Sequence, residues 1–180
     1  MRNIWYTHTG LIDAKSVADL IVWVNNQTQA NSDDTRLTLF LSSTGGDIDS
    51  AVRAYSFLKG LPIDLEIIGF GQIDSAANTI FLASKTRKAL KGCRFFLHEG
   101  TFSIGNPSAA LHVHEETLRL LQNLLQKTID IITSETGKNR EEIIKILRDG
   151  QIFTAAEAVE FGLATEIIEK IPKGLGSSVS

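Results

Sequence analysis

Residues 65–77 read LEIIGFGQIDSAA. Leu65 to Phe70 is apolar and β-rich, as expected of a strand buried on both faces. Gly71 breaks the run, Gln72-Ile73-Asp74 follows as a turn, and a helix of small residues begins near Ser75. The same order recurs upstream. Arg36 to Ser42 is a second buried strand, Ser43-Thr44-Gly45-Gly46-Asp47 interrupts it, and Ile48, Ala51, Val52, Tyr55 and Leu58 mark one side of a helix. Before it, residues 13–29 carry Val17, Leu20, Ile21 and Val24 at helical spacing. Strands alternating with helices predict an α/β fold with mostly parallel pairing. In such sheets function gathers beyond the carboxyl ends of the strands.

Downstream, a strand spans roughly Cys93 to His98, and residues 99–107 contain glycine and proline without a period. A long helix over about 109–136 follows, with Leu118, Leu121, Leu125, Ile129 and Ile132 on one face and Leu120, Leu124 and Ile131 opposite. A monomer's surface helix keeps one broad polar face, so this helix is expected to meet another subunit. Gly137 fits a C-cap. Asn139 with Glu142, and Thr154 with Glu157, resemble capping boxes opening two short helices. Gly162 closes the second, and 164–169 is a last strand. No internal repeat or linker divides the body, so one domain over residues 1–170 and a loose Gly/Ser-rich tail over 171–180 are expected.

The bulk numbers narrow the function. The 180 residues suffice for one core, with 43% hydrophobic and 22% charged residues. A net charge of −3 offers no field for nucleic acid. No apolar run approaches the ~18 residues of a membrane span. The opening residues lack a secretory signal, and a cytoplasmic location is the simplest expectation. Cys93 is the single cysteine, which excludes an internal disulfide and reads as a small buried hydrophobe. His112 and His114 lie two apart and do not share a helical face, and no other His or Cys cluster points to a metal.

Three segments at expected strand ends, 43–47, 71–75 and 98–107, remain as candidates for chemistry. Ser75 at a helix start is by default an N-cap. The same position suits a nucleophile, because free backbone N–H groups there receive charge developing on a carbonyl oxygen. Ala76 can supply one such donor. The Gly45-Gly46 pair, which also reads as a tight turn with Asp47 as helix cap, can supply another. His98 ends an apolar strand, and imidazole is the side chain best matched to taking a hydroxyl proton near neutral pH. Asp149 ends a short helix before Gly150, where it could orient that imidazole, although spacing alone does not select it from the other acids.

These segments, in this order, resemble the proteolytic subunit of Clp protease, within the Clp/crotonase fold. Ser42-Ser43-Thr44-Gly45-Gly46 is similar to that family's Ser-Pro-Gly-Gly oxyanion segment, and Gly71-Gln72-Ile73-Asp74-Ser75 to its Gly-Gln-Ala-Ala-Ser nucleophile turn. Phe96-Leu97-His98-Glu99 resembles its Met-Ile-His-Gln, and Arg148-Asp149 its catalytic Arg-Asp. Residues 154–158 and 161–164 resemble its Ala-Glu-Glu-Ala and Tyr-Gly-Leu-Ile-Asp close. The likeness covers about 35–170. It implies repeated β-β-α units with a long handle helix, and a serine endopeptidase working through an acyl-enzyme. Ser75, His98 and Asp149 would be the triad and Gly46 and Ala76 the oxyanion hole, with no metal or organic cofactor. It also implies peptide or unfolded-protein substrates, a self-compartmentalising homo-oligomeric ring and an AAA+ unfoldase partner.

The departures bear on assembly more than on the triad. Thr44 stands in place of proline, Asp74 of a small apolar residue and Ala76 of methionine. Leu147 replaces an acidic residue that, with the arginine after it, links rings. The glycine pair after His-Gln-Pro is absent from 99–107. The chain opens almost at its first helix, where family members carry residues that gate the axial pore and dock the ATPase. Two other functions share the fold: a crotonase-like acyl-CoA hydratase or hydrolase, and a catalytically inactive scaffold subunit. The complete Ser/His/Asp set argues against both, while Asp74 keeps the second in view.

Overall fold

The computed structural model describes residues 2–28, 35–100 and 110–172. The elements run β1 (Arg2–Thr9), α1 (Ala14–Thr28), β2 (Thr35–Ser43), α2 (Ile48–Lys59), β3 (Asp64–Asp74), α3 (Ala77–Phe81), β4 (Thr86–Leu90), β5 (Arg94–Leu97), α4 (Leu111–Thr136), α5 (Arg140–Asp149), β6 (Gln151–Thr154), α6 (Ala155–Phe161) and β7 (Glu166–Ile168). Strands β1-β2-β3-β4-β7 form a parallel sheet, and β5 joins the end of β3 in parallel. The β5–β6 pair is antiparallel. Alternate residues Leu37, Leu39, Leu41, Leu65, Ile67 and Ile73 bury beneath the helices, as the apolar runs of β2 and β3 require.

Strand β3 does two jobs because it bends. Residues 66–69 pair with β4, whereas 72–74 pair with β5. Against β2 the register passes from Leu41↔Gly69 to Ser43↔Ile73, so β3 carries two extra residues there. Gly71, at φ 64°, sits in that bulge. A bulge of this kind turns a strand's end, and here it aims residues 72–75 at the strand that leads to His98.

Capping follows the sequence closely. Asp47 caps α2 by accepting from Ser50 N–H at 2.8 Å. Thr154 and Glu157 form the full reciprocal box. Asn139 accepts from Glu141 N–H, without a reciprocal bond from Glu142. Gly137 and Gly162 close α4 and α6 in the left-handed conformation. The long helix begins at Leu111, its 26 residues spanning about 39 Å. Only its second half is anchored, through buried Ile129 and Ile132, while Leu118 and Leu120 are 48% and 61% exposed. Buried Arg87 holds that end in place: its guanidinium donates to the carbonyls of Ser84, Leu163, Gly162 and Glu135.

Most of residues 99–107, and all but the first two residues of the expected tail 171–180, lie outside the described residues. The sequence reading did not anticipate β1, β4 and β6.

Candidate active site

Ser75 follows β3 with φ 54°, the one non-glycine at positive φ among the described residues. That conformation costs a β-carbon-bearing residue about 1–2 kcal/mol, and such strain persists where the surroundings enforce it. Here the Ser75 N–H donates to Phe96 O at 2.8 Å. Its carbonyl accepts from the Asn78 backbone N–H and from the Asn78 side-chain amide, both at 3.1 Å. The default capping role does not hold: the N-cap of α3 is Ala76, which makes no side-chain cap. With only five residues, α3 has little macrodipole, so any anion binding here rests on individual N–H groups.

The glycine pair presses against this turn. A Cβ on Gly45 would lie 2.7 Å from both Asp74 O and Ser75 Cβ, and 3.0 Å from Ala76 N. Gly46 is fixed by a parallel bridge to Ile12, in which Ile12 N–H donates to Gly45 O and Asp47 N–H to Ile12 O. The geometry of that bridge turns the N–H of Gly46 away from Ile12. Neither Gly46 N–H nor Ala76 N–H donates to another residue among those described. Two backbone donors without a partner among the described residues thus lie in the segments that meet at Ser75, one directly after it and one next to Gly45.

Ser75, Ala76 and His98 line one cavity of about 20 Å³, walled by Ile48, Leu125, Ile132 and Leu147. This is room for about one water-sized group. The His98 ring stacks on Phe96 with centroids 4.6 Å apart and planes at 14°. Its Nδ1 accepts from Gly100 N–H at 3.1 Å. In a neutral ring this places the proton on Nε2. No hydrogen bond joins Ser75 Oγ to His98 among the described residues.

Asp149 ends α5, and its carboxylate accepts from Lys145 Nζ at 2.6 Å, with the two side chains 53% and 78% exposed. Its backbone adjoins that of His98. The β5–β6 register pairs Leu97 with Gln151, and Glu99 N–H donates to Leu147 O at 2.8 Å. A Cβ on the intervening Gly150 would lie 4.0 Å from His98 Cβ. The structure therefore gathers Ser75, Ala76 and His98 with the glycine turn, and brings the Asp149 backbone alongside. The carboxylate itself is turned to Lys145 and does not touch His98.

Asp74 is buried, but it does not line the cavity. Its Oδ2 pairs with Arg94 Nη2 at 2.7 Å, and Arg94 also donates to Gln72, two residues away on the same face of β3. Cys93 is buried as expected, its thiol pushed up to about 12 by burial first and by the Asp74 charge second. Leu147 is 4% exposed and forms part of the cavity wall. Of the other histidines, His8 lies on β1, and burial pulls its imidazole below the usual range. His112 and His114 lie on the first turn of α4. The sequence reading missed Asn78, whose only signal was a large polar residue amid Ala76, Ala77, Thr79 and Ile80.

A strained serine at a strand end, beside N–H groups that bond to no other described residue and a histidine just past the end of the adjoining strand, within a bent parallel sheet, fits an α/β protein of the Clp/crotonase class. The chain belongs to the Clp protease family, whose family model matches residues 9–171. ATP-dependent Clp protease proteolytic subunit 1 of Thermobifida fusca is 30% identical over 164 residues, covering 87% of this chain and 70% of the relative. Subunit 2 of Frankia casuarinae is 27% identical over 143 residues, 78% of this chain but only 64% of its own length. Among solved structures, a ClpP1 variant from Listeria monocytogenes superposes with a TM-score of 0.81 at 22% identity, covering 92% of this chain and 91% of that one. The likeness to that structure speaks for the fold. No described helix is long and apolar enough to cross a membrane.

Proposed function

We propose that residues 1–170 form a single peptidase domain that hydrolyses peptide bonds through Ser75, His98 and Asp149. The observation that carries this is the strained Ser75 turn, which shares a cavity with Ala76 and His98 and is packed against the Gly45-Gly46 segment. Ser75 Oγ attacks the scissile carbonyl and passes its proton to His98 Nε2. The N–H groups of Gly46 and Ala76 hold the oxyanion, and the amine leaves with the proton from His98. Water, activated by the same imidazole, then releases the acyl group.

The resting arrangement needs two changes for this. The Gly100 N–H leaves Nδ1, so that the imidazole proton moves there and Nε2 becomes the base. Asp149 exchanges Lys145 for that Nδ1–H. The second change is easy, because an exposed pair at i,i+4 spacing contributes about 0.3–0.5 kcal/mol. The half-exposed outer part of α4 supports a homo-oligomeric ring enclosing the site; peptide or unfolded-chain substrates and an AAA+ unfoldase partner rest on the family resemblance alone.

A fluorophosphonate probe with mass mapping tests the mechanism. Label on Ser75, abolished in Ser75→Ala, is expected; a folded, unlabelled wild type refutes it. The Gly100 and Lys145 contacts favour the scaffold subunit as second reading, and that same unlabelled result would support it. Light scattering tests the ring, which a monomer of 19.7 kDa would defeat.

A further inference from the structure

The Asn78 side chain is 1% exposed and lines the cavity with Ser75 and His98. Its Nδ2 lies 3.0 Å from Ile73 O, 3.1 Å from Ser75 O and 3.0 Å from Phe96 O. The amide orientation is dictated by chemistry. Turned over, Oδ1 would face three carbonyl oxygens with no hydrogen between them. Two N–H hydrogens serve three acceptors, so one is shared. The cost of this arrangement is visible: Oδ1 is buried with no hydrogen-bond partner among the described residues. A buried amide that satisfies only its nitrogen is held there for that nitrogen.

The three acceptors are not a random set. Ile73 O is in the last turns of β3, Ser75 O belongs to the nucleophile, and Phe96 O lies on β5 two residues before His98. The carbonyls of residues 73 and 75 meet one nitrogen across the turn in which Ser75 adopts positive φ. Phe96 O also receives the Ser75 N–H, so the amide completes a knot between the nucleophile turn and the strand that delivers the base.

We infer that Asn78 is a positioning residue, which fixes the Ser75 turn and its spacing to His98 by donating to all three carbonyls. The inference rests on the proposed triad and deepens it: Asn78 contacts no reacting atom and acts through Ser75. Small shifts of a reacting group, near 1 Å, cost about 100-fold in rate.

The test compares wild type, Asn78→Ala and Asn78→Asp in the full-length protein, by fluorophosphonate labelling of Ser75 from pH 5 to 8. Asn78→Ala is expected to label about 100-fold more slowly, with kcat on a short peptide reduced alike and KM nearly unchanged. Its deficit relative to wild type should be independent of pH. In Asn78→Asp the protonated acid donates one bond, whereas the carboxylate repels the three carbonyls, so its deficit should deepen as pH rises. Because ionisation of the introduced carboxylate also lowers stability as pH rises, each labelling rate is taken per folded molecule, with the folded fraction read by circular dichroism at the same pH. A deficit that deepens with pH in the folded fraction is expected, and it decides the matter if Asn78→Ala fails to fold. Labelling of both variants at the wild-type rate across the range overturns the inference and leaves the triad standing. Absence of label on folded wild type sinks the triad, and the inference with it.

Discussion

Replacing Gly45 with alanine tests the turn that carries Ser75 without removing any group assigned to the chemistry. The new Cβ would sit 2.7 Å from Asp74 O and from Ser75 Cβ, about 0.7 Å inside ordinary contact. Neither neighbour is the far end of a flexible side chain, so the turn itself must move. Gly45 also has φ +91°, which adds roughly 1–2 kcal/mol of backbone strain for alanine. For a chain of this size that strain lowers the melting temperature by about 2–8 °C. Catalytic geometry tolerates only about 0.5 Å of displacement, and a misplacement near 1 Å costs about 100-fold. Gly45→Ala is therefore expected to reduce kcat/KM and the labelling rate of Ser75 by about 100-fold, with a modest loss of stability. Paired measurement of melting temperature and labelling rate separates the two effects. A variant that labels within twofold of wild type would show that Gly45 does not set the position of Ser75.

Peptidase activity should rise from acid to neutral pH, because the general base acts only when unprotonated; a flat profile on stable protein would make His98 a bystander. Asp149→Asn should depress hydrolysis strongly, whereas Lys145→Met should leave it intact or slightly raised, since it frees the carboxylate; equal losses in both variants would argue that their ion pair is structural. Cys93 should resist alkylation in native protein at pH 8 and react after denaturation, and its sign in stability is defined. With its folded value raised to about 12, its contribution is complete below the unfolded thiol's ~8.5 and is lost as pH climbs from there towards 12. Rapid native alkylation would contradict the buried placement.

The sequence was most legible where local pattern and tertiary role coincide. The apolar runs of β2 and β3 declared buried strands, and Asp47, Thr154, Gly137 and Gly162 declared helix ends through caps that act within a few residues. The missed strands lack that coincidence. Arg2–Thr9 alternates in burial and carries polar residues, since β1 is the edge of its sheet path. Thr86–Leu90 contains Arg87 and Lys88, whose charges are satisfied by carbonyls from the end of α4 and from loops, and by Glu66 of β3. Gln151–Thr154 is four residues long and exists by pairing with β5. The candidate site was legible as segments at strand ends but not as geometry. Nothing local reveals that Gly100 would occupy His98 Nδ1, or that Asp149 would face Lys145.

Asp74 and Asn78 bracket Ser75, the proposed nucleophile, and are best understood together. A carboxylate one residue before Ser75 would ordinarily favour the charged form of a nearby imidazole and blunt it as a base. Here the two-residue period of β3 puts Asp74 on the face shared with Gln72, where Arg94 from β5 neutralises it, while Ser75 leaves the strand by its positive φ. The ion pair joins β3 to β5 on one side of the turn, and the Asn78 amide joins the same two strands on the other. Arg94 is half exposed, so its pairing is partly screened and weaker than a fully buried one. Asn78 itself is 1% exposed, so its amide bonds are less screened. Both ties act on the register of β5 against the end of β3, and that register sets the distance from Ser75 to His98. A polar residue on either side of the serine is thus compatible with the triad, because each is consumed in holding the strands that carry it.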